Sequence, residues 1–144
     1  MPLEVAQVRR RVQNRLAELK RWAADRRERV AAAERAYAAF LTDVAAPAFS
    51  TFAQSLSAEG YPYRVITPGG TLRLVSERSN KTYIEVRLET STAVPTVVAE
   101  VSRERGHRVI ADDRTIAEGT AIDALTDESV VEFLLEAMAD VIER

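Results

Sequence analysis

Four glutamates occupy a stretch in which apolar and polar residues alternate, and carboxylates of this kind can serve as general acids or bases. They are Glu77, Glu85, Glu89 and Glu100. Catalysis by a carboxylate pair requires unlike surroundings, so that one group holds a proton while the other stays ionised. These glutamates are instead interleaved with Arg73, Arg87 and Arg103 on the predicted solvent face of a sheet. Ion pairing between strands accounts for them, and we predict no catalytic residue and no enzyme activity.

Other residues with reactive side chains are scarce. The chain has no cysteine and a single histidine, His107, which excludes thiolate catalysis, cysteine-ligated metals and a histidine-rich site within one chain. His107 follows Gly106, and we interpret it as a solvated turn residue. The segment Pro68-Gly69-Gly70 lacks the lysine and the strand-to-helix context of a phosphate-binding loop, so it predicts a hairpin turn. We assign no cofactor-binding residue and no metal ligand.

The longest predicted element is a helix over residues 5–44, which contains neither glycine nor proline. Apolar or small residues recur in it in steps of four and three, which is the heptad spacing of paired helices. Only Arg26 interrupts this seam after Val12; its members are Val12, Leu16, Leu19, Ala23, Val30, Ala33, Tyr37, Phe40 and Val44. Pro47 cannot donate a backbone hydrogen bond, so we expect the helix to be kinked or broken there, with a second segment reaching about Ser57.

From Tyr61 the hydrophobic period changes to two, and short turns separate the apolar runs. This pattern predicts an antiparallel meander of about five strands, the last over residues 107–111. Ile84, Val86 and Leu88 are predicted to face the core. Thr126 resembles the N-cap of a C-terminal helix packed on the sheet. The apolar residues of that helix are Val130, Val131, Leu134, Leu135, Ala137, Met138, Val141 and Ile142.

These elements predict an α+β fold and a single domain over residues 1–144. Its parts are a helical stalk with a second helical segment (1–58), the antiparallel sheet (61–125) and the C-terminal helix (126–144). The composition, 47% hydrophobic and 29% charged, is that of a globular protein. No apolar run reaches the roughly 20 residues of a membrane span, so we expect a soluble cytoplasmic protein without a membrane partner.

Function is predicted from the long helix. To residue 46 it would measure about 66 Å, against roughly 30 Å for a small domain, so part of it should project or find a partner. We predict a non-enzymatic interaction or assembly module that forms a homodimer through this helix, in parallel or antiparallel pairing. The sequence also leaves open a different protein as the partner of this helix. The predicted interface residues are Val12, Leu16, Leu19, Ala23, Arg26, Val30 and Ala33.

The uneven distribution of charge along the chain leaves an alternative function open. Residues 1–44 have ten basic and six acidic side chains, a net of +4, whereas residues 112–144 have a net of −8. The basic front and acidic tail favour either self-complementary packing or separate partners. The alternative is a nucleic-acid-associated dimer whose helix contacts phosphates. Its candidate contacts are Arg9, Arg10, Arg11, Arg15, Arg27 and Arg29.

Overall fold

A computed structural model describes residues 2–142 of the chain. Its helices are α1 (Val5–Phe40), α2 (Ala46–Ala58) and α3 (Asp127–Val141), with a π-helical turn at Leu41–Ala45 and a 3-10 turn at Ile122–Ala124. Its strands are β1 (Tyr63–Ile66), β2 (Leu72–Ser76), β3 (Tyr83–Glu89), β4 (Thr96–Arg105) and β5 (Arg108–Thr115). The strands form one antiparallel sheet in the order of the sequence. The predicted α+β fold and meander are confirmed.

The chain divides into two compact units, the first ending at Ala32 and the second beginning at Ala33. The first unit consists largely of α1. The second contains the end of α1, the sheet and the remaining helices, and its core is built from the apolar faces of these elements. Within residues 2–142, no helix is long and apolar enough to cross a membrane.

The predicted disturbance near Pro47 takes the form of a widened turn, after which the helix continues. The N–H of Ala46 donates to the carbonyl of Leu41, five residues back, which is the hydrogen bond of a π-helix. Pro47 itself lies in the first turn of α2. A proline ring collides with the carbonyl four residues earlier in a regular helix, and the wider turn ahead of Pro47 relieves that conflict. Phe49, two residues later, is fully buried.

The residues predicted to face the core from β3 do so. Ile84 and Val86 are buried, and Leu88 is half-buried against the same core. The hydroxyl of Tyr37, near the end of α1, donates to the carbonyl of Val86 at 3.2 Å. Burial, with a smaller contribution from the nearby Glu85 charge, raises the pKa of Tyr37 to about 12. The end of α1 is therefore an integral part of the second unit's core.

Helix α3 is a core element, and its buried face contains only part of the predicted apolar set. Thr126 caps it as expected, in a reciprocal pair of hydrogen bonds with Ser129. Leu135 was expected to pack inward, yet its side chain is 56% exposed. Four residues of the predicted set are buried, and Phe133, which the prediction did not include, is buried with them. The four are Val130, Leu134, Ala137 and Val141.

Strand β5 is longer than the sequence predicted, ending at Thr115 and not at Ala111. The additional residues are polar and gave no alternating apolar signal. They are held by partners on neighbouring strands, since Asp112 accepts a hydrogen bond from Arg103 at 3.1 Å. Beyond the strand, Ile116 and Leu125 are buried and anchor the connection to α3.

Candidate interaction surface

Helix α1 displays a continuous row of apolar side chains, which we call the apolar stripe: Val5, Val8, Val12, Leu16, Leu19 and Ala23. At about 100° per residue, these positions lie within roughly 80° of the helix circumference. The exposed fractions are 39% for Val8, 49% for Val12, 52% for Leu16 and 44% for Leu19. A helix of a globular protein normally buries such a stripe, because packing provides most of a helix's stability. This exposed stripe is therefore the candidate interaction surface of α1.

The seven residues predicted to form an interface follow one line along α1. Val12, Leu16, Leu19, Ala23 and Arg26 are exposed, whereas Val30 and Ala33 are half-buried. The seam then continues to Tyr37 and Phe40, which are buried in the second unit's core. The same spacing thus serves intramolecular packing at one end of the helix and leaves apolar residues exposed at the other.

Sequence reasoning did not assign Val5 and Val8 to this surface. Val5 is 83% exposed and lies on the same side of α1 as Val12. The signal was present in the sequence, because Val5, Val8 and Val12 are separated by steps of three and four. The stripe therefore begins at the first turn of the helix.

Trp22 borders the apolar stripe and is 53% exposed. The guanidinium of Arg15 lies 4.9 Å from the centre of the Trp22 ring and 3.2 Å from a carboxylate oxygen of Glu18. At an exposed site a cation–π contact contributes about 0.5–1 kcal/mol, and an exposed ion pair contributes at most a similar amount. These contacts orient the indole ring beside the stripe, where its fluorescence would report a partner.

All six arginines proposed to contact phosphates are exposed, but they do not share one side of α1. By helix geometry, Arg11, Arg15 and Arg29 border one side of the apolar stripe. Arg9 and Arg27 border the other side, and Arg10 points away from it. A phosphate-tracking surface concentrates its basic residues on one face. The structure therefore gives the stripe a basic border on both sides and gathers no single arginine face.

Three of the four carboxylates considered for catalysis lie in strands on the outward face of the sheet, namely Glu85, Glu89 and Glu100, whereas Glu77 follows the end of β2. Glu85 accepts from the Nε of Arg73 at 3.0 Å, which confirms the predicted pairing between strands for this residue. Glu100 accepts from the hydroxyl of Tyr83, whose ring lies 4.0 Å from the Arg73 guanidinium. These contacts link adjacent strands across the open face of the sheet.

Arg87 connects β3 to β5 across the strand between them. It lies opposite Val98 of β4, and its guanidinium reaches Asp113 of β5 through two hydrogen bonds of 3.1 and 2.7 Å. This contact holds the pKa of Asp113 below its usual range. The Arg87 side chain crosses β4 on the face of the sheet that contains Val98. Val98 is only 7% exposed on this face. The arrangement is that of a stabilising ion-pair network.

The remaining candidates for a chemical site are a cluster of metal ligands, His107, the Pro68 turn and one pocket. Across residues 2–142, no three potential metal ligands from the His, Cys, Asp and Glu side chains are gathered together. His107 is exposed in the turn between β4 and β5. The Pro68 segment forms the predicted turn, in which the N–H of Thr71 donates to the Pro68 carbonyl at 3.3 Å. A pocket of about 330 Å³ lies beside the β4–β5 turn, where Arg105 donates to the carbonyl of Asp140 at 3.1 Å.

No protein-family profile matches the chain, and searches of the curated proteins and of the solved structures found no match either.

Proposed function

We propose that the protein is a non-enzymatic assembly module that associates with a second copy of itself through the apolar stripe of α1. The observation that supports this proposal is the exposure of the stripe, from Val5 to Ala23, on a helix whose other end is packed in a core. Water contact with so many aligned apolar side chains is unfavourable, and a partner helix removes it.

A second copy fits the stripe because of its spacing. Leu16, Leu19 and Ala23 are separated by three and four residues, so two identical helices can bring these positions together along their whole length. The small Ala23 allows close approach of the helix axes at that level. Both parallel and antiparallel pairs satisfy this spacing.

The free energy gained by burying the stripe is comparable to the cost of association. Complete burial of a valine or leucine side chain contributes about 1.5–3 kcal/mol. Burying the exposed parts of the five valines and leucines of the stripe in both copies would contribute on the order of 10 kcal/mol. Association costs roughly 4–15 kcal/mol in lost freedom of motion. The expected dimer therefore depends on protein concentration and is in exchange with its monomers.

The basic borders of the stripe predict an unusual salt dependence. Arg15, Lys20 and Arg27 occupy the flanking heptad positions, so both helix orientations bring like charges together. Salt screens this repulsion and leaves the apolar contact intact. Self-association should therefore strengthen as salt is added. Binding to nucleic acid, the alternative supported by the exposed arginines, should weaken under the same conditions.

The decisive experiment replaces Leu16 and Leu19 together by glutamate. Both sites are exposed and glutamate is a good helix former, so the second unit should keep its fold. A matched control, Asn14→Glu with Ala17→Glu, adds the same charge on the opposite side of α1. The parent and the control should gain mass with concentration in sedimentation runs, and Trp22 emission should shift to the blue. The Leu16→Glu, Leu19→Glu variant should show a lower mass at each concentration and no emission shift.

Identical behaviour of the two double variants would refute the proposal, because the stripe would then make no contact. Retention of the parent on a labelled DNA duplex at low salt, lost on adding salt while the mass stays monomeric, would favour the alternative. A cytoplasmic location remains a prediction from composition.

A further inference from the structure

A second self-complementary surface lies on the sheet. Strand β5 is at one end of the strand order, and every residue from Arg108 to Thr115 is exposed except the half-buried Arg114. Its two large apolar side chains are exposed, Val109 at 50% and Ile110 at 38%. An edge strand with free backbone groups is a template for pairing with another strand.

The direction of the backbone groups of β5 can be deduced from one hydrogen bond. The N–H of Ile116 donates to the carbonyl of Val97 at 3.1 Å, and this pair continues the β4–β5 register. In an antiparallel ladder, bonded and non-bonded positions alternate. Even-numbered residues of β5 therefore bond to β4. The odd-numbered residues Val109, Ala111 and Asp113 direct their N–H and carbonyl groups to the open edge.

We propose that β5 pairs antiparallel with β5 of a second copy, with Ile110 opposite Ile110 on the two-fold axis. The bonded positions of such a pair must be odd-numbered in both copies. The register centred on Ile110 meets this condition, with Val109 opposite Ala111 and Arg108 opposite Asp112. It places apolar side chains in the centre and opposite charges on both sides.

The other registers with the same parity are less favourable. Centring on Val109 would pair only residues 108–110 of the strand. Centring on Ala111 would place Arg108 opposite Arg114 and Ile110 opposite Asp112. Centring on Asp112 would bring two identical carboxylates together. Like charges directly opposite each other destabilise a strand pair. Charge and backbone direction together thus select the register on Ile110.

The carboxylate of Asp112 is prepared for a further donor. It accepts one hydrogen bond from Arg103 at 3.1 Å and two from Arg114, at 2.7 and 3.4 Å. An ionised carboxylate has about four acceptor positions, so one remains for Arg108 of the second copy. The same contacts, led by Arg114, hold the pKa of Asp112 below its ordinary value.

This contact does not depend on the proposed function, because β5 and the apolar stripe lie in different units. The test can therefore be run on the Leu16→Glu, Leu19→Glu variant, in which association through α1 is removed. Failure of one proposal leaves the other unaffected.

Single cysteines provide a direct measurement, since the chain has no cysteine of its own. At a non-bonded antiparallel position, facing Cα atoms are about 4.5 Å apart, which is within the range of a disulfide. Ile110→Cys should therefore form a disulfide-linked dimer under mild oxidation. In this register the two copies of residue 111 are offset by two residues and lie beyond disulfide reach. Ala111→Cys should form at least ten-fold less dimer, as should a control at the 70% exposed Val94.

Two outcomes would overturn the inference. Equal crosslinking of Ile110→Cys and Val94→Cys would mean random collision, and preferential crosslinking at residue 111 would mean a different register. A variant without cysteine gives a further check. Ile110→Lys places two charges on the axis and should abolish association through β5, whereas Leu135→Lys, at an exposed site on α3, should leave it unchanged.

Discussion

Leu134 and Leu135 are adjacent in α3 and offer a matched test of how the helix packs. Leu134 is completely buried, and Leu135 is 56% exposed. Replacement by alanine removes the same isopropyl group at both positions and changes helix propensity equally. The two variants therefore differ only in the environment from which the group is removed.

The expected magnitudes are well separated. A buried leucine replaced by alanine loses transfer free energy and leaves a cavity, which together lower the free energy of unfolding by about 3 kcal/mol. The exposed Leu135 should lose less than about 0.5 kcal/mol. With a urea dependence of about 2 kcal/mol per molar, Leu134→Ala should lower the unfolding midpoint by roughly 1.5 M.

Urea titration followed by far-ultraviolet circular dichroism measures both variants against the parent. The slope of the transition should be unchanged, since the surface exposed on unfolding is nearly the same. Equal midpoints for the two variants would refute the reasoning, because α3 would then not pack through the face containing Leu134. A larger loss for Leu135→Ala would mean that α3 packs through the face containing Leu135.

Two further predictions concern the sheet and its contact with α1. Val86→Asp buries an unpaired charge at a fully buried site and should unfold the second unit, whereas Arg87→Ala removes a partly exposed ion pair and should cost about 1 kcal/mol or less. Thermal melts of both proteins would show this contrast, and similar damage from both would mean that the two faces of β3 are equally covered. The raised pKa of Tyr37 favours its neutral form in the native state, so its contribution to stability is complete below pH 10 and is lost between pH 10 and about 12. Between pH 10 and about 12, the urea midpoint should fall less steeply with pH for Tyr37→Phe than for the parent. An identical dependence on pH in the two proteins would contradict the raised pKa of Tyr37.

The spacing of apolar residues was enough to identify the buried face of β3 but not that of α3. Along β3, residues on the two faces differ in polarity, so alternation alone identifies Ile84 and Val86 as core residues. In α3 the apolar residues cover more than half of the circumference. Which part faces the sheet is then decided by how the helix docks, and the periodicity could not exclude Leu135.

The heptad seam of α1 shows a second limit of sequence reasoning. Leu16 and Phe40 belong to the same repeat, yet Phe40 is buried in the core and Leu16 is exposed. Spacing identifies which residues share a face but does not identify what covers that face. The C-terminal half of β5 illustrates the converse, because Asp112 and Asp113 are fixed by arginines distant in sequence and gave no local strand signal.

The π-helical turn at Leu41–Ala45 acts as a one-residue spacer between two helical phases. In an uninterrupted helix the seam through Tyr37 and Phe40 would pass through Thr51, which is exposed. The buried residue is its neighbour Phe52, so the turn rotates the apolar face of α2 by about one residue, or 100°. Deleting one exposed residue of the turn, such as Thr42, would place Phe52 at the position that Thr51 holds in a regular helix, so the α2 aromatics should still face the core without a widened turn. The turn therefore accommodates one extra residue between Phe40 and Phe49, while the buried residues on both sides of it belong to one core.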